Sequence, residues 1–200
     1  MINTPAQRIG LLGGSFDPVH LAHVELARCA MRHLHLDSVR LIPAAQPWQR
    51  GALGADPDDR VAMLRLAVAN VPGLEIDTVE IDRGGPTYTI DTVRTLPPGK
   101  EYFWILGADQ LANFCSWKNW EEIVERVHLA VAARPGSHIA PAATLRTRLE
   151  ELGQALHVIP MAPNTLSATE IRHRLSSNQN VDGMLDASVA QYIHHNGLYR

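Results

Sequence analysis

The sequence is poor in cysteine and aromatics, and it has no excess of either charge. Only Cys29 and Cys115 occur. Cys29 lies on an amphipathic helix pattern and Cys115 beside Phe114, a setting for buried free thiols rather than a disulfide framework. Charged residues make up 20% of the chain and the formal net charge is -3, so no electrostatic footprint for a nucleic-acid backbone is present. No apolar run approaches the roughly 20 residues of a membrane-spanning helix. The opening MINTPAQR has no apolar leader core. A cytoplasmic protein is expected, with neither a nucleic acid nor a membrane as partner. Also missing are G-x-G-x-x-G, which makes a dinucleotide-cofactor site a weak reading, and G-x-x-x-x-G-K-[ST], which excludes a P-loop.

What is present is an ordinary globular composition, 46% hydrophobic over 200 residues, enough for one well-filled core. Apolar, β-branched runs at Arg8–Leu12, Val39–Ile42, Leu74–Ile81, Tyr102–Leu106, His128–Ala132 and His157–Ile159 read as strands. Helical patterns fall between them at Val19–His35, Pro57–Asn70, Tyr88–Leu96, Trp120–Glu125 and Thr144–Leu152, and two more close the chain at Ala168–Ser176 and Ala187–Asn196. Such alternation predicts an α/β, Rossmann-like, doubly wound parallel sheet with helices on both faces and a helical C-terminal tail. Asp56 before Pro57 and Asp186 before Ala187 read as helix N-caps, and Gly197 as a left-handed stop. No repeat or linker divides residues 1–200, so a single domain is expected. The loop AAQPWQRGALG (Ala44–Gly54) has the composition of a segment that moves or binds.

The most informative stretch is GGSFDPVHLAH, Gly13 to His23, where the first strand gives way to a helix. Asp17 reads as the N-cap and Pro18 as the first helical residue, with His20 in the first turn and His23 on the same face. Gly13 and Gly14 leave the backbone open to a ligand, and a helix start favours an anion. Two imidazoles would then stand beside a phosphate cradle at the carboxyl end of a strand, where open α/β sheets bind ligands. A plain turn with solvent-facing histidines fits the same residues. A zinc site at His20-x-x-His23 lacks the glutamate and third ligand of a zincin. TLSATEIRHRL, Thr165 to Leu175, offers a second anion-receptive helix start. Ser167 and Glu170 are spaced as a capping box, with Thr169 and Arg172 adding hydroxyl and guanidinium donors.

GGSFDPVHLAH resembles the G-G-[ST]-F-D-P-x-H-x-G-H motif of the Rossmann-like nucleotidyltransferase superfamily, and LSATEIRHRL resembles its I-S-[SA]-T-x-I-R motif. GGPTYTIDT (Gly84–Thr92), WILGADQLANFCSW (Trp104–Trp117), HLAVAARPG (His128–Gly136) and YIHHNGLYR (Tyr192–Arg200) extend the resemblance over essentially the full length, to the bacterial nicotinate-nucleotide adenylyltransferases. This resemblance implies adenylyl transfer from ATP to nicotinate mononucleotide, giving deamido-NAD and pyrophosphate, with Mg²⁺ held by phosphates and water rather than by a protein side chain. The same chemistry on nicotinamide mononucleotide or phosphopantetheine, and a non-catalytic nucleotide sensor, are the alternatives.

By resemblance, His20, His23 and Arg172 are the catalytic residues. Gly13, Gly14, Ser15, Phe16, Arg50, Ser167, Thr169 and Arg172 would bind ATP. Thr89, Asp109, Trp117 and Lys118 would bind the acceptor mononucleotide. Asp109 also reads as an N-cap for a helix beginning at Gln110. The working unit is expected to be a monomer or homodimer. The chain departs from the family pattern where Ala22 replaces a glycine, where Trp48 and Gln49 replace proline and histidine ahead of Arg50, and where Lys118 replaces a common aromatic. Lys118 is expected to add attraction for the nicotinate carboxylate.

Overall fold

A computed structural model describes residues 6–47, 53–133, 139–162 and 165–200. The chain forms, in order, β1 (Arg8–Gly14), α1 (Leu21–Leu34), β2 (Ser38–Pro43), β3 (Gln46–Pro47), α2 (Pro57–Val68), β4 (Leu74–Ile76), α3 (Val79–Arg83), β5 (Pro86–Thr87) and α4 (Thr89–Val93). The second half continues with β6 (Glu101–Gly107), α5 (Ala108–Ala112), a 3-10 turn at Phe114–Ser116, α6 (Trp120–Arg126), β7 (His128–Ala133), α7 (Ala143–Glu151), β8 (His157–Pro160), α8 (Ala168–Ser176) and α9 (Ala187–Asn196).

Six strands pair in the order β4-β2-β1-β6-β7-β8, all parallel, and β3 and β5 form a separate small pair. Chain direction across the sheet reverses between β1 and β6. A parallel sheet opens a crevice at such a switch point, beyond the carboxyl ends of its strands. The two faces carry separate cores. Leu12 joins Val24 and Ala27 of α1, Met63 and Leu64 of α2, Ile171 of α8 and Ile193 of α9 on one face. Ile9 and Leu11 join Ile90, Ile123 and Leu145 of α4, α6 and α7 on the other. The alternation of Ile9, Leu11 and Leu12 between faces is the period-2 geometry of a strand buried on both sides.

Several expectations need correction. The strand expected over Leu74–Ile81 ends at Ile76, and α3 begins at Val79. Asp77 Oδ1 accepts from the Val79 N–H at 3.1 Å and Thr78 donates to Asp82, so two short polar side chains turn the backbone where hydropathy alone reads on. Helix α1 begins at Leu21 with His20 as its N-cap, not Asp17. The Asp17 carboxylate is taken elsewhere, by the N–H groups of Gly54 and Ala55. Helix α5 begins at Ala108 from an N-cap at Gly107, because Gln110 Oε1 accepts the Gly107 N–H at 3.1 Å; Asp109 lies inside its first turn. Asp56, Asp186 and Gly197 occupy the cap positions expected of them, with Asp186 accepting from the Ser188 N–H and Gly197 at φ 63°.

Candidate active site

The switch point is built from the end of β1. The Gly14 carbonyl accepts from the Ala44 N–H at 2.9 Å, and the Ser15 carbonyl accepts from Arg60 at 2.8 Å. A trans peptide sets its C=O and the following N–H on opposite sides. Holding those two carbonyls inward therefore turns the Ser15 and Phe16 amides the other way, away from Ala44 and Arg60.

Arg60 is fully buried and also donates to the Ala44 carbonyl at 2.8 Å. Burial lowers its pKa, opposed chiefly by the charge of Asp17. The sequence pattern marked Asp56 and Pro57 at the start of the same helix but not this residue. The available signal was a lone cation among Val61, Met63 and Leu64 on the buried side of α2.

Each glycine of the turn has a neighbour where a side chain would go. A Cβ on Gly14 would lie 3.1–3.3 Å from the Phe16 ring, and one on Gly13 would lie 3.0 Å from Trp104. Phe16 adopts φ 46° and is 1% exposed. A left-handed conformation at a non-glycine residue costs about 1–3 kcal/mol. Full burial of a phenylalanine side chain contributes about 2–3 kcal/mol, so the ring under Gly14 offsets the strain. The glycines thus admit Phe16 and Trp104 as well as keeping the backbone open.

Phe16 also meets the His23 ring edge-on at 5.0 Å, and His23 in turn stacks on His20 at 3.7 Å. The His20 N–H donates to His23 Nδ1 at 3.2 Å, which places the proton of a neutral His23 on Nε2. His20 is 7% exposed, and burial pushes its pKa down to about 4, so it is neutral at pH 7. The first N–H of α1, from Leu21, already donates to the Met184 carbonyl. Anion donors here therefore come mainly from the turn before the helix.

The other half of the constellation arrives on α8. Ser167 caps the helix, its Oγ accepting from the Glu170 N–H at 3.2 Å, and Thr169 is exposed in the first turn. Arg172 lies 3.5 Å from Thr169 Oγ1 and donates to the Asp17 carbonyl at 2.6 Å, a contact between residues 155 positions apart. The two anion-receptive motifs of the sequence are joined side by side.

A cavity beside the turn is lined by Gly13, Gly14, Ser15, Thr89, Trp104 and Trp117, together with Glu80 and Gln110. Thr89 and Trp117, expected to act together, do share it. Trp117 packs on Phe114 at 5.0 Å, and its buried Nε1 has no partner among the described residues. Asp109 is exposed on α5 and does not line the cavity, whereas its neighbour Gln110 does. The ammonium of Lys118 lies 4.4 Å from the centroid of the Tyr88 ring. Arg50, Trp48 and Gln49 lie outside the described residues.

Glu80 escaped sequence reading because it sat within the presumed strand. It is 4% exposed, accepts from Thr92 Oγ1 at 2.6 Å, and has its pKa pushed up to about 7 by burial, against the favourable Thr92 hydrogen bond.

A family model described as cytidylyltransferase-like matches residues 11–174. A Bordetella avium protein named probable nicotinate-nucleotide adenylyltransferase is 55% identical over 194 residues, covering 97% of this chain and 98% of the relative. A Chromobacterium violaceum protein of the same name is 40% identical over 212 residues, covering 96% and 99%. In fold, the chain is similar to a Plasmodium falciparum nicotinic acid mononucleotide adenylyltransferase, with a TM-score of 0.78 at 18% identity and coverage of 96% and 97%.

Glu80 also sets a pH dependence. A carboxyl whose folded pKa is raised contributes most stability below its ordinary pKa and loses it as pH rises through the folded value. His20, with a depressed pKa, acts in the opposite sense between about 4 and 6.5 and masks the effect. In chemical denaturation, the stability advantage of the parent protein over Glu80→Gln is expected to fall by about 3 kcal/mol between pH 4.5 and about 7. A constant difference across that window would contradict the assignment. The full-length identity and the two joined motifs together place the chain in the cytidylyltransferase-like family and, within it, among the nicotinate-nucleotide adenylyltransferases.

Proposed function

We propose that the chain transfers the adenylyl group of ATP to nicotinate mononucleotide, giving deamido-NAD and pyrophosphate in NAD biosynthesis. The observation that carries this reading is the Arg172–Asp17 hydrogen bond, which lays the TLSATEIR helix start against the GGSFDPVH turn. An oxygen of the mononucleotide phosphate attacks the α-phosphorus of ATP in line. The bond to the bridging oxygen breaks and pyrophosphate leaves with its charge. Such a step needs positioning and charge stabilisation rather than a covalent nucleophile.

The amides of Gly14, Ser15 and Phe16 hold phosphate oxygens on one side, with Gly13 keeping the approach open. Ser167, Thr169 and Arg172 hold the triphosphate and the leaving pyrophosphate on the other, and Arg50 adds a cation from the loop. Arginine has five N–H donors, and its contacts with Asp17 and Thr169 leave others for phosphate. His20 and His23 orient the reacting phosphates. His20 is neutral at pH 7 before substrate binds, so its part is hydrogen bonding rather than a standing charge.

The donors here are amides, imidazoles, hydroxyls and a guanidinium, a set that suits phosphate. No group of three or more His, Cys, Asp or Glu side chains able to hold a metal occurs among the described residues. Mg²⁺ entering with ATP would be held by phosphate oxygens and water, and would supply charge neutralisation there.

On the acceptor side, Trp117 stacks on the pyridine ring and Thr89 hydrogen-bonds it, both from the cavity beside the turn. Asp109 is assigned to nucleotide groups on the family resemblance, since only its neighbour Gln110 lines the cavity. Lys118, held over the Tyr88 ring next to Thr89, attracts the nicotinate carboxylate. No helix among the described residues is long and apolar enough to cross a membrane.

Pyrophosphate release from Mg·ATP, followed with each mononucleotide in parallel, tests the reading. Release is expected with nicotinate mononucleotide and to fall at least about a hundredfold in kcat in His20→Ala, the low end for a lost transition-state donor. No release with any acceptor, or a near-normal His20→Ala, would contradict it. Lys118→Met is expected to lower the kcat/KM ratio of nicotinate over nicotinamide mononucleotide; an unchanged ratio removes Lys118 from recognition.

A further inference from the structure

The segment after α9 returns to the opening motif. Tyr199, at φ 62°, donates its hydroxyl to Asp17 Oδ1 at 2.8 Å. Asp17 is 2% exposed, and its carboxylate also accepts from the Gly54 N–H at 2.8 Å and the Ala55 N–H at 3.1 Å. Its backbone carbonyl takes Arg172, whose guanidinium also lies 3.8 Å from Asp17 Oδ2. Behind this cluster, a Cβ on Gly54 would come 2.9 Å from the Tyr199 ring and 3.3 Å from Cδ of Arg172. Tyr199 and the stem of Arg172 therefore pack against one stretch of backbone. Burial, then the hydrogen bond to Asp17, push the Tyr199 pKa upward, so the phenol remains a donor at any working pH.

Neither Tyr199 nor the Asp17 carboxylate needs to touch a substrate for the cluster to matter. Asp17 has every visible contact turned to the protein, yet its carbonyl is where Arg172 rests. We infer that Tyr199 is a positioning residue of the triphosphate site: by holding the Asp17 carboxylate it fixes the carbonyl that anchors Arg172, and so sets where the guanidinium meets the phosphates. A residue near the far end of the chain thereby tunes the first motif through the second. The inference rests on the adenylyl-transfer reading of the same site.

Steady-state kinetics of the parent protein, Tyr199→Phe, Arg172→Lys and the double variant test it, with melting temperatures alongside. Tyr199→Phe keeps the ring against Gly54 and removes only the hydroxyl. It is expected to raise KM for Mg·ATP about fivefold, the scale of one lost hydrogen bond, while KM for nicotinate mononucleotide stays within about twofold. In the Arg172→Lys background the same change is expected to add less than about twofold, since both act through one contact. An unmoved KM for Mg·ATP with only a lower melting temperature makes Tyr199 structural and overturns the inference. Equal rises in both KM values, or full additivity with Arg172→Lys, overturn it too. Should Tyr199→Phe not fold, Tyr199→Met, which also lacks the hydroxyl but keeps an apolar contact with Gly54, is expected to give the same selective rise in KM for Mg·ATP. A parent protein that turns over no mononucleotide defeats both readings, whereas an active parent with an indifferent Tyr199→Phe defeats this one alone.

Discussion

The hydrogen bond from Arg172 to the carbonyl of Asp17 is the contact on which the site depends. Hydrogen bonds to charged groups contribute about 1.5–3 kcal/mol, less where water reaches them, and Arg172 is partly exposed. Its importance is positional. It joins two helix starts that the chain separates by most of its length, and it does so only because Asp17 is itself immobilised. Ile171, beside Arg172, is fully buried in the core that α1 also enters, so α8 cannot drift from the turn without opening that core. Packing brings the two motifs near each other, and polar contacts fix their register.

The β1 turn works by the same division of labour. Phe16 and Trp104 fill the space that side chains at Gly14 and Gly13 would need, while Arg60 and the Ala44 amide hold the carbonyls. Burying a cation is costly, and removing its hydrogen-bond partners would leave it uncompensated. Arg60 is tolerated because the Ser15 and Ala44 carbonyls accept from its Nη1 and Asp17 is near enough to favour its charge, although its buried Nε has no partner among the described residues. The positive charge stays under the turn while the amides of Ser15 and Phe16 face away from it. His20 is kept neutral by burial, so in the proposed reaction it offers the phosphates hydrogen bonding rather than a standing charge.

Much of this was legible in the sequence. The alternation of β-branched runs and helical patterns gave the parallel sheet, and the motif around Gly13–His23 fell at the carboxyl end of β1, at the switch point. Thr89 and Trp117, far apart in sequence, do share a cavity. What periodicity could not see was polar chemistry at a distance. Asp17 followed by proline carries a sound local signal for an N-cap, but tertiary partners at Gly54, Ala55 and Tyr199 claim its carboxylate and leave the cap to His20. Asp77 and Thr78 turn the backbone in the middle of the alternating run LEIDTVEI, which hydropathy alone reads as one strand. Glu80 was hidden inside the expected strand, and Arg60 looked like a surface residue despite its apolar neighbours, because a buried charge is recognised only once its partners are known.

In the proposed reaction one triphosphate lies between the β1 turn and the start of α8. Hydrogen–deuterium exchange of the protein with and without Mg·ATP measures this directly. Protection is expected to rise together at the amides of Ser15 and Phe16 and in the first turn of α8, and Arg172→Lys is expected to weaken it at both. Protection confined to one of the two segments, or unaffected at the β1 turn by Arg172→Lys, would contradict a site shared between them.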